Sequence, residues 1–248
     1  MSIRRKAFGL HVAESILEGL PEQVVQVWVD ISRRDPKLLE MVRRFELIGR
    51  HPQTAVRSRL DALAEGGNHQ GIVVEYLAQP EMDEGGLREA IDRLDRPAFF
   101  LVLDHVQDPH NLGACLRSAN AAGVHGVIST RDQSVGITPV VAKVACGAAE
   151  STPYYRVTNL VRTLQFLKDR GIWIVGAAGE ADLFYDQVDL RGGLAIVMGA
   201  EGRGLRRLTR ENCDYLVKIP MQGQVESLNV SVAAGVLLFE ALRQRSVS

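Results

Sequence analysis

Two short apolar runs constrain the fold of this chain more than any other feature. Leu194–Met198 (LAIVM) and Tyr215–Ile219 (YLVKI) are rich in β-branched or large apolar residues, and Gly199 and Pro220 close them. Runs of this kind suit strands buried in a parallel sheet. Open α/β sheets bind ligands at the rim formed by their C-terminal strand ends, where glycines let bare backbone groups approach a ligand. Gly199, Gly202, Gly204 and Gly223 fall at that rim. Beyond it, Leu228–Arg243 reads as a helix with almost no polar face (Val230, Val232, Ala233, Ala234, Val236, Leu237, Leu238, Phe239), so the core or a second subunit must cover it.

The rest of the chain repeats the alternation. Phe99–Val106 reads as a buried strand, Leu112–Ala122 as a helix small on one side, Val124–Ser129 as a strand and Pro139–Ala148 as a helix; Leu160–Asp169 and Ile172–Ala177 continue the series. A parallel sheet follows, although spacing leaves its strand order open. Residues 1–79 carry a smaller set of elements: helices over 8–20, 36–45 and 55–64, and strands over 24–29 and 71–77, which together predict a small α/β domain. Residues 80–97 (PEMDEGGLREAIDRLDRP) hold six acidic and three basic side chains and a double glycine, and read as an acidic linker with one helical segment between that domain and 98–248.

Composition narrows the function classes. The net charge of -1 disfavours a globally basic nucleic-acid binder, but the acidic excess sits in 80–97, so an RNA surface must be local. Basic groups punctuate the first domain at Arg4/Arg5/Lys6, Arg33/Arg34, Arg43/Arg44 and Arg57/Arg59, and most such groups are merely solvated faces. Cys115, Cys146 and Cys213 lack metal-ligand or paired spacing, which predicts thiols in a reducing compartment and no metal. With no membrane-length apolar run and no leader pattern, a cytoplasmic protein without a membrane partner is expected. Neither a dinucleotide-binding glycine fingerprint nor a P-loop is present.

DPHNLGACLRSANAAGVHG (Asp108–Gly126), GAEGRG (Gly199–Gly204) and IPMQGQVESLNVSVAAG (Ile219–Gly235), in this order, resemble the three motifs of the SpoU, or TrmH-type, RNA 2'-O-ribose methyltransferases. The resemblance covers about the last three fifths of the chain. FGLHVAESILEGL and GGNHQGIVVEY further resemble the added RNA-binding domain of a branch that methylates a guanosine of 23S rRNA. It implies an α/β SPOUT-type domain with a trefoil knot over 98–248, an L30e-like α/β domain over 1–79, S-adenosylmethionine as cofactor and a homodimer with sites at the subunit interface. One departure from the resemblance is His105, which stands where a glycine is expected.

Carried over by motif, Asn111, Arg117, Glu201, Ser227 and Asn229 are the expected catalytic set, and Gly199, Ile219 and Leu228 are expected to hold the cofactor mainly through backbone atoms. Methyl transfer to a ribose 2'-oxygen needs in-line approach, loss of the hydroxyl proton and exclusion of water, and no metal. A guanidinium is always charged, so rather than acting as a base Arg117 suits either clamping an RNA phosphate and stabilising negative charge on the 2'-oxygen, or holding a phosphate that itself relays the proton. Ser227 and Asn111 read alternatively as helix N-caps, and Glu201 as a loop carboxylate. Arg203, Arg206, Arg207 and Arg210 form the most concentrated basic patch and are candidate RNA contacts, as is His69 in the glycine-flanked GGNHQG, which could instead bond its own loop. The expected activity is 2'-O-methylation of a 23S rRNA guanosine; the alternatives are the same reaction on tRNA and a non-catalytic RNA-binding assembly factor.

Overall fold

The computed structural model describes residues 3–78 and 81–246 and divides into two compact units: Met1–Pro80 with Cys146–Ser151, and Glu81–Ala145 with Thr152–Ser248. In the first, the chain runs β1 (Ile3–Phe8), α1 (Leu10–Gly19), β2 (Val24–Asp30), α2 (Pro36–Leu47), β3 (Gln53–Ala55), α3 (Arg57–Leu63) and β4 (Ile72–Ala78). The sheet order is β1-β4-β2-β3, with β4 antiparallel to both β1 and β2, and β2 parallel to β3. Successive residues of β4 face opposite sides. Ile72, Val74 and Tyr76 pack with Ile16 of α1 and Leu38, Met41 and Phe45 of α2, whereas Val73 packs with Leu60 and Leu63 of α3.

Local signals set the helix starts. The Asp35 side chain accepts a hydrogen bond from Leu38 N–H at 3.1 Å and Pro36 occupies the first helical turn, an arrangement suited to an N-terminus. Helix α1 starts after Gly9, which offers no side-chain cap; the distant Gln70 supplies one, its Oε1 accepting from Leu10 N–H at 2.9 Å.

The second unit contains α4 (Glu84–Asp92), β5 (Phe99–Asp104), α5 (Pro109–Ala121), β6 (Gly126–Thr130), α6 (Pro139–Ala145), β7 (Tyr154–Val157), α8 (Leu160–Asp169), β8 (Trp173–Ala177), β9 (Leu183–Phe184), β10 (Leu194–Gly199), α9 (Arg207–Glu211), β11 (Tyr215–Lys218) and α10 (Val230–Ser246); the short helix α7 (Ala148–Ser151) belongs to the first unit. Its seven strands are all parallel, in the order β7-β6-β5-β10-β8-β11-β9. One face of the sheet packs Phe100, Val102, Ala195 and Val197 against Leu160, Leu164 and Leu167 of α8. Buried residues of α5 and α10, among them Leu112, Leu116, Ala234 and Leu238, belong to helices that pack on each other beside β6 and β10. Every residue of β5 is buried, as its unbroken apolar run predicts.

The acidic stretch expected as a linker is largely built into this unit. Asp83 caps α4 by accepting from Gly86 N–H at 3.0 Å, and Leu87 and Ile91, one helical turn apart, are buried in the same cluster as Phe100 and Tyr155. The acidic side chains lie outside, while an i, i+4 apolar pair anchors the helix.

Candidate active site

The C-terminal ends of β5 and β10 lie side by side, with Asp104 paired to Gly199. This is where the strand order reverses, since β6 and β7 extend from β5 on one side and β8, β11 and β9 from β10 on the other. A crevice for ligands is expected at such a switch point. The chain after β10 turns back at once: Gly204 N–H bonds Ala200 O at 2.9 Å and buried Leu205 anchors the loop. A Cβ on Gly199 would stand 2.1 Å from the carbonyl carbon of Gly204, so only glycine permits this crossing.

Three of the predicted catalytic residues meet above that loop. The Asn229 amide donates to Asn111 Oδ1 at 2.9 Å and to Glu201 Oε1 at 2.6 Å. Its Oδ1 accepts from the backbone N–H of Ser231 at 2.9 Å and from the Ser231 hydroxyl at 2.6 Å, which makes Asn229 the cap of α10. Both amide hydrogens and the carbonyl oxygen are therefore engaged, and the side chain has one possible orientation. It ties together α5, the glycine loop after β10 and the start of α10, segments separated by as many as 118 positions.

The other predicted residues occupy the same rim or lie near it. Gly199 and Ile219 are partly buried at the ends of β10 and β11, and Leu228 and Ser227 are exposed just before α10. Ser227 is outside the hydrogen-bonded trio, and the capping position falls to Asn229 instead. Arg117 is exposed on α5, six residues beyond Asn111 and so about 9 Å along the helix axis.

The basic patch is less free than its sequence suggests. Arg206 pairs with Asp104, Arg207 with Glu211 at 2.7 Å and Arg210 with Glu180, which leaves Arg203 as the one member without an acidic partner among the described residues. His69 takes the second of its two readings. It is buried, its Nδ1 accepts from Gly71 N–H at 3.0 Å, and its Nε2 faces Asp61 Oδ1 at 3.1 Å. With both ring nitrogens occupied, it braces its own loop and presents nothing to a ligand.

Sequence reasoning passed over Asp104. Its side chain is 0% exposed and accepts from Arg206 Nε at 2.8 Å and Arg206 N–H at 3.2 Å. The available signal was an acid ending an otherwise apolar strand, FFLVLD. The next residue, His105, has φ +64°, a left-handed conformation that favours glycine, which gives a physical reason for the glycine expected there. Burial, and then the Arg206 charge, hold its imidazole below the usual histidine range. Burial, with the charge of Glu201 adding to it, pushes the Cys115 thiol up to about 12, so it is no nucleophile at neutral pH.

Residues 98–239 match the model of the SpoU rRNA Methylase family, a span that includes the whole rim. The chain belongs to the SpoU rRNA methylase family. Residues 6–81 match a second model, described as RNA 2'-O ribose methyltransferase substrate binding. The chain is similar to the 23S rRNA (guanosine-2'-O-)-methyltransferase RlmB of Shewanella oneidensis, 54% identical over 96% of this chain and 96% of the relative. It is likewise similar to the protein of that name from Escherichia coli K12, 52% identical over 96% and 98%. The SpoU methyltransferase AviRb of Streptomyces viridochromogenes, solved in complex with AdoMet, shares the fold: TM-score 0.79 at 23% identity, over 99% of this chain and 92% of that one.

Proposed function

We infer that this protein is a 23S rRNA (guanosine-2'-O-)-methyltransferase that uses S-adenosylmethionine. The observation that carries the reading is the convergence of Asn111, Glu201 and Asn229, one from each of three distant family motifs, on a single hydrogen-bonded cluster. Near full-length similarity to the 23S rRNA enzymes supports the substrate.

The cofactor fits a rim made of backbone. Gly202, Gly204 and Gly223 have open space where a side chain would stand, and Ile219 and Leu228 offer apolar surface beside them. When bound, S-adenosylmethionine supplies an electrophilic methyl group. The Asn229 cluster holds the glycine loop and the start of α10 in a fixed relation, so the binding surface is preorganised. Arg117, a guanidinium exposed on α5, clamps an RNA phosphate, which would take the 2'-hydroxyl proton, and stabilises the negative charge on the oxygen as the methyl group passes to it and S-adenosylhomocysteine leaves. Arg203 adds a phosphate contact at the loop tip.

Finer features belong to the same proposal. The C-terminal part of the second unit forms a trefoil knot, a reading supported by the insertion of β10 between β5 and β8. The first unit is L30e-like, supported by its mixed four-stranded sheet with helices on both faces. The enzyme works as a homodimer in the cytoplasm: Val232 and Phe239 of α10 are 52% and 48% exposed, an apolar surface for a second copy, and the substrate belongs to the ribosome.

The test is ribose-methylation mapping of rRNA and tRNA from cells with and without the gene, complemented by wild type or Arg117→Ala. One 23S guanosine mark should vanish with the gene and return with wild type alone. An unchanged 23S map would sink the assignment.

A further inference from the structure

We propose that Asp104 and Arg206 form a positioning clamp for the methyl-transfer site, and that Arg206 acts through Asp104 rather than by contacting RNA. Asp104 ends β5 and Arg206 follows the glycine loop that leaves β10. The carboxylate is completely buried and receives two hydrogen bonds from this one residue, from the guanidinium Nε at 2.8 Å and from the backbone N–H at 3.2 Å. A buried carboxylate held by a single cation and a backbone donor makes that geometry costly to leave.

The consequence reaches the catalytic cluster through the chain. Between β10 and Arg206 lie Ala200 to Leu205, closed by the Gly204 to Ala200 hydrogen bond and carrying Glu201. Asp104 and Asn229 thus tie down the same loop from two sides, the first at its base through Arg206, the second at its crest through Glu201. The loop that follows Asp104 leads directly into α5, which bears Asn111. Releasing the base lets Glu201 drift from Asn229 while all three cluster residues remain in the sequence. The Arg206 side chain is 47% exposed, yet its Nε faces inward to Asp104, which argues for a local function of its charge.

This proposal rests on the methyltransferase reading, and the experiment separates the two. In the full-length protein, Asp104→Asn, Arg206→Ala, Arg206→Lys and the Asp104→Asn/Arg206→Ala double variant are compared with wild type. The readouts are melting temperature, S-adenosylhomocysteine affinity by calorimetry, and kcat and KM on rRNA from cells lacking the gene. Displacement of a site by about 1 Å can cost about a hundredfold, so a drop of roughly tenfold to a hundredfold in kcat or cofactor affinity is expected for Asp104→Asn and Arg206→Ala alike. The double variant should be no worse than either single one, as for residues acting as a unit. RNA KM and its salt dependence should stay near wild type, and Arg206→Lys should recover part of the loss.

The idea fails if Arg206→Ala raises RNA KM and flattens its salt dependence while Asp104→Asn does neither, or if the two losses multiply. Should Asp104→Asn not fold, the Arg206→Ala and Arg206→Lys pair still decides between a loss in cofactor affinity and kcat and a loss in RNA KM. A wild-type protein that methylates no rRNA would refute the proposed function instead, while the coupling in cofactor affinity still tests the clamp.

Discussion

At the residue scale, the site depends on Asn229 being an amide. Its two hydrogens serve two acceptors, Asn111 Oδ1 and Glu201 Oε1, so a carboxylate in its place would present oxygen to both. Asn229→Asp should therefore lower kcat more than Asn229→Ala, by roughly a further tenfold, because it adds like-charge repulsion against Glu201 to the loss of the bonds. Steady-state kinetics on the two variants checks this; an Asn229→Asp variant near wild type beside an impaired Asn229→Ala would assign Asn229 to capping alone, since aspartate caps a helix as well as asparagine. A second residue governs pH dependence. Glu150 is buried, its Oε1 accepts from the Tyr76 hydroxyl at 2.6 Å, and its Oε2 has no partner among the described residues. Burial pushes its carboxyl up, and the hydrogen bond from Tyr76 and the charge of Arg5 only partly offset this. An acid with a raised folded pKa keeps its proton longer in the native state, so the unfolded chain binds fewer protons and stability falls as pH rises above the ordinary value of 4.5. Denaturant midpoints taken from about pH 5 to about pH 8 should decline in wild type and flatten in Glu150→Gln. A wild-type slope unchanged by the substitution would overturn this account.

At the element scale, β10 and its loop are the part least tolerant of change. Adding one methyl at Gly199 places it 2.1 to 2.4 Å from backbone atoms of Gly204 and Leu205, none of which can rotate away. Gly199→Ala should displace the loop, weaken S-adenosylhomocysteine binding at least about tenfold and cost about 1–3 kcal/mol of stability. Calorimetry with a denaturation curve tests both, and wild-type values for either would show that the crossing is looser than the structure has it. This strand was legible in the sequence because LAIVMG is a pure apolar run ending in glycine, and β5 was legible for the same reason. Other elements hid. β1 (IRRKAF) sits at a sheet edge, where Arg4 and Lys6 face solvent and break the apolar pattern. The helical segment at α4 was expected, but as part of a linker, because the six acids of residues 80–97 mask the Leu87/Ile91 pair that buries it. Strand order was not legible, since β10 pairs with β5 across 95 positions of chain and no local signal encodes that choice. The site followed the same division. Asn111, Glu201 and Asn229 were visible as motif positions, whereas the Asp104 to Arg206 pair spans 102 positions and exists only once the sheet is assembled.

At the scale of the whole molecule, a chain of net charge -1 must gather its free cations where RNA meets it. The sheet of the first unit does this. Because β2 and β3 are parallel with Asp30 opposite Ala55, the segments that follow them emerge at the same end, and Ile31 N–H bonds Ala55 O at 3.1 Å. Two basic pairs separated in sequence, Arg33/Arg34 and Arg57/Arg59, are thereby brought together. Arg33 is bound to Asp35, but Arg34, Arg57 and Arg59 are exposed and have no acidic partner among the described residues. Acids at this end are engaged elsewhere, Asp30 with Ser32 and Asp61 with His69. If this end meets the rRNA backbone, the triple variant Arg34→Glu/Arg57→Glu/Arg59→Glu should raise KM for rRNA about tenfold or more, while kcat at saturating RNA and S-adenosylhomocysteine affinity remain those of wild type. The slope of log affinity against log salt should shrink by roughly 0.7–0.9 for each phosphate that the variant no longer neutralises. A raised KM with an unchanged salt slope would point to a disturbed loop, and an unchanged KM would move the RNA-binding face of the first unit elsewhere on its surface.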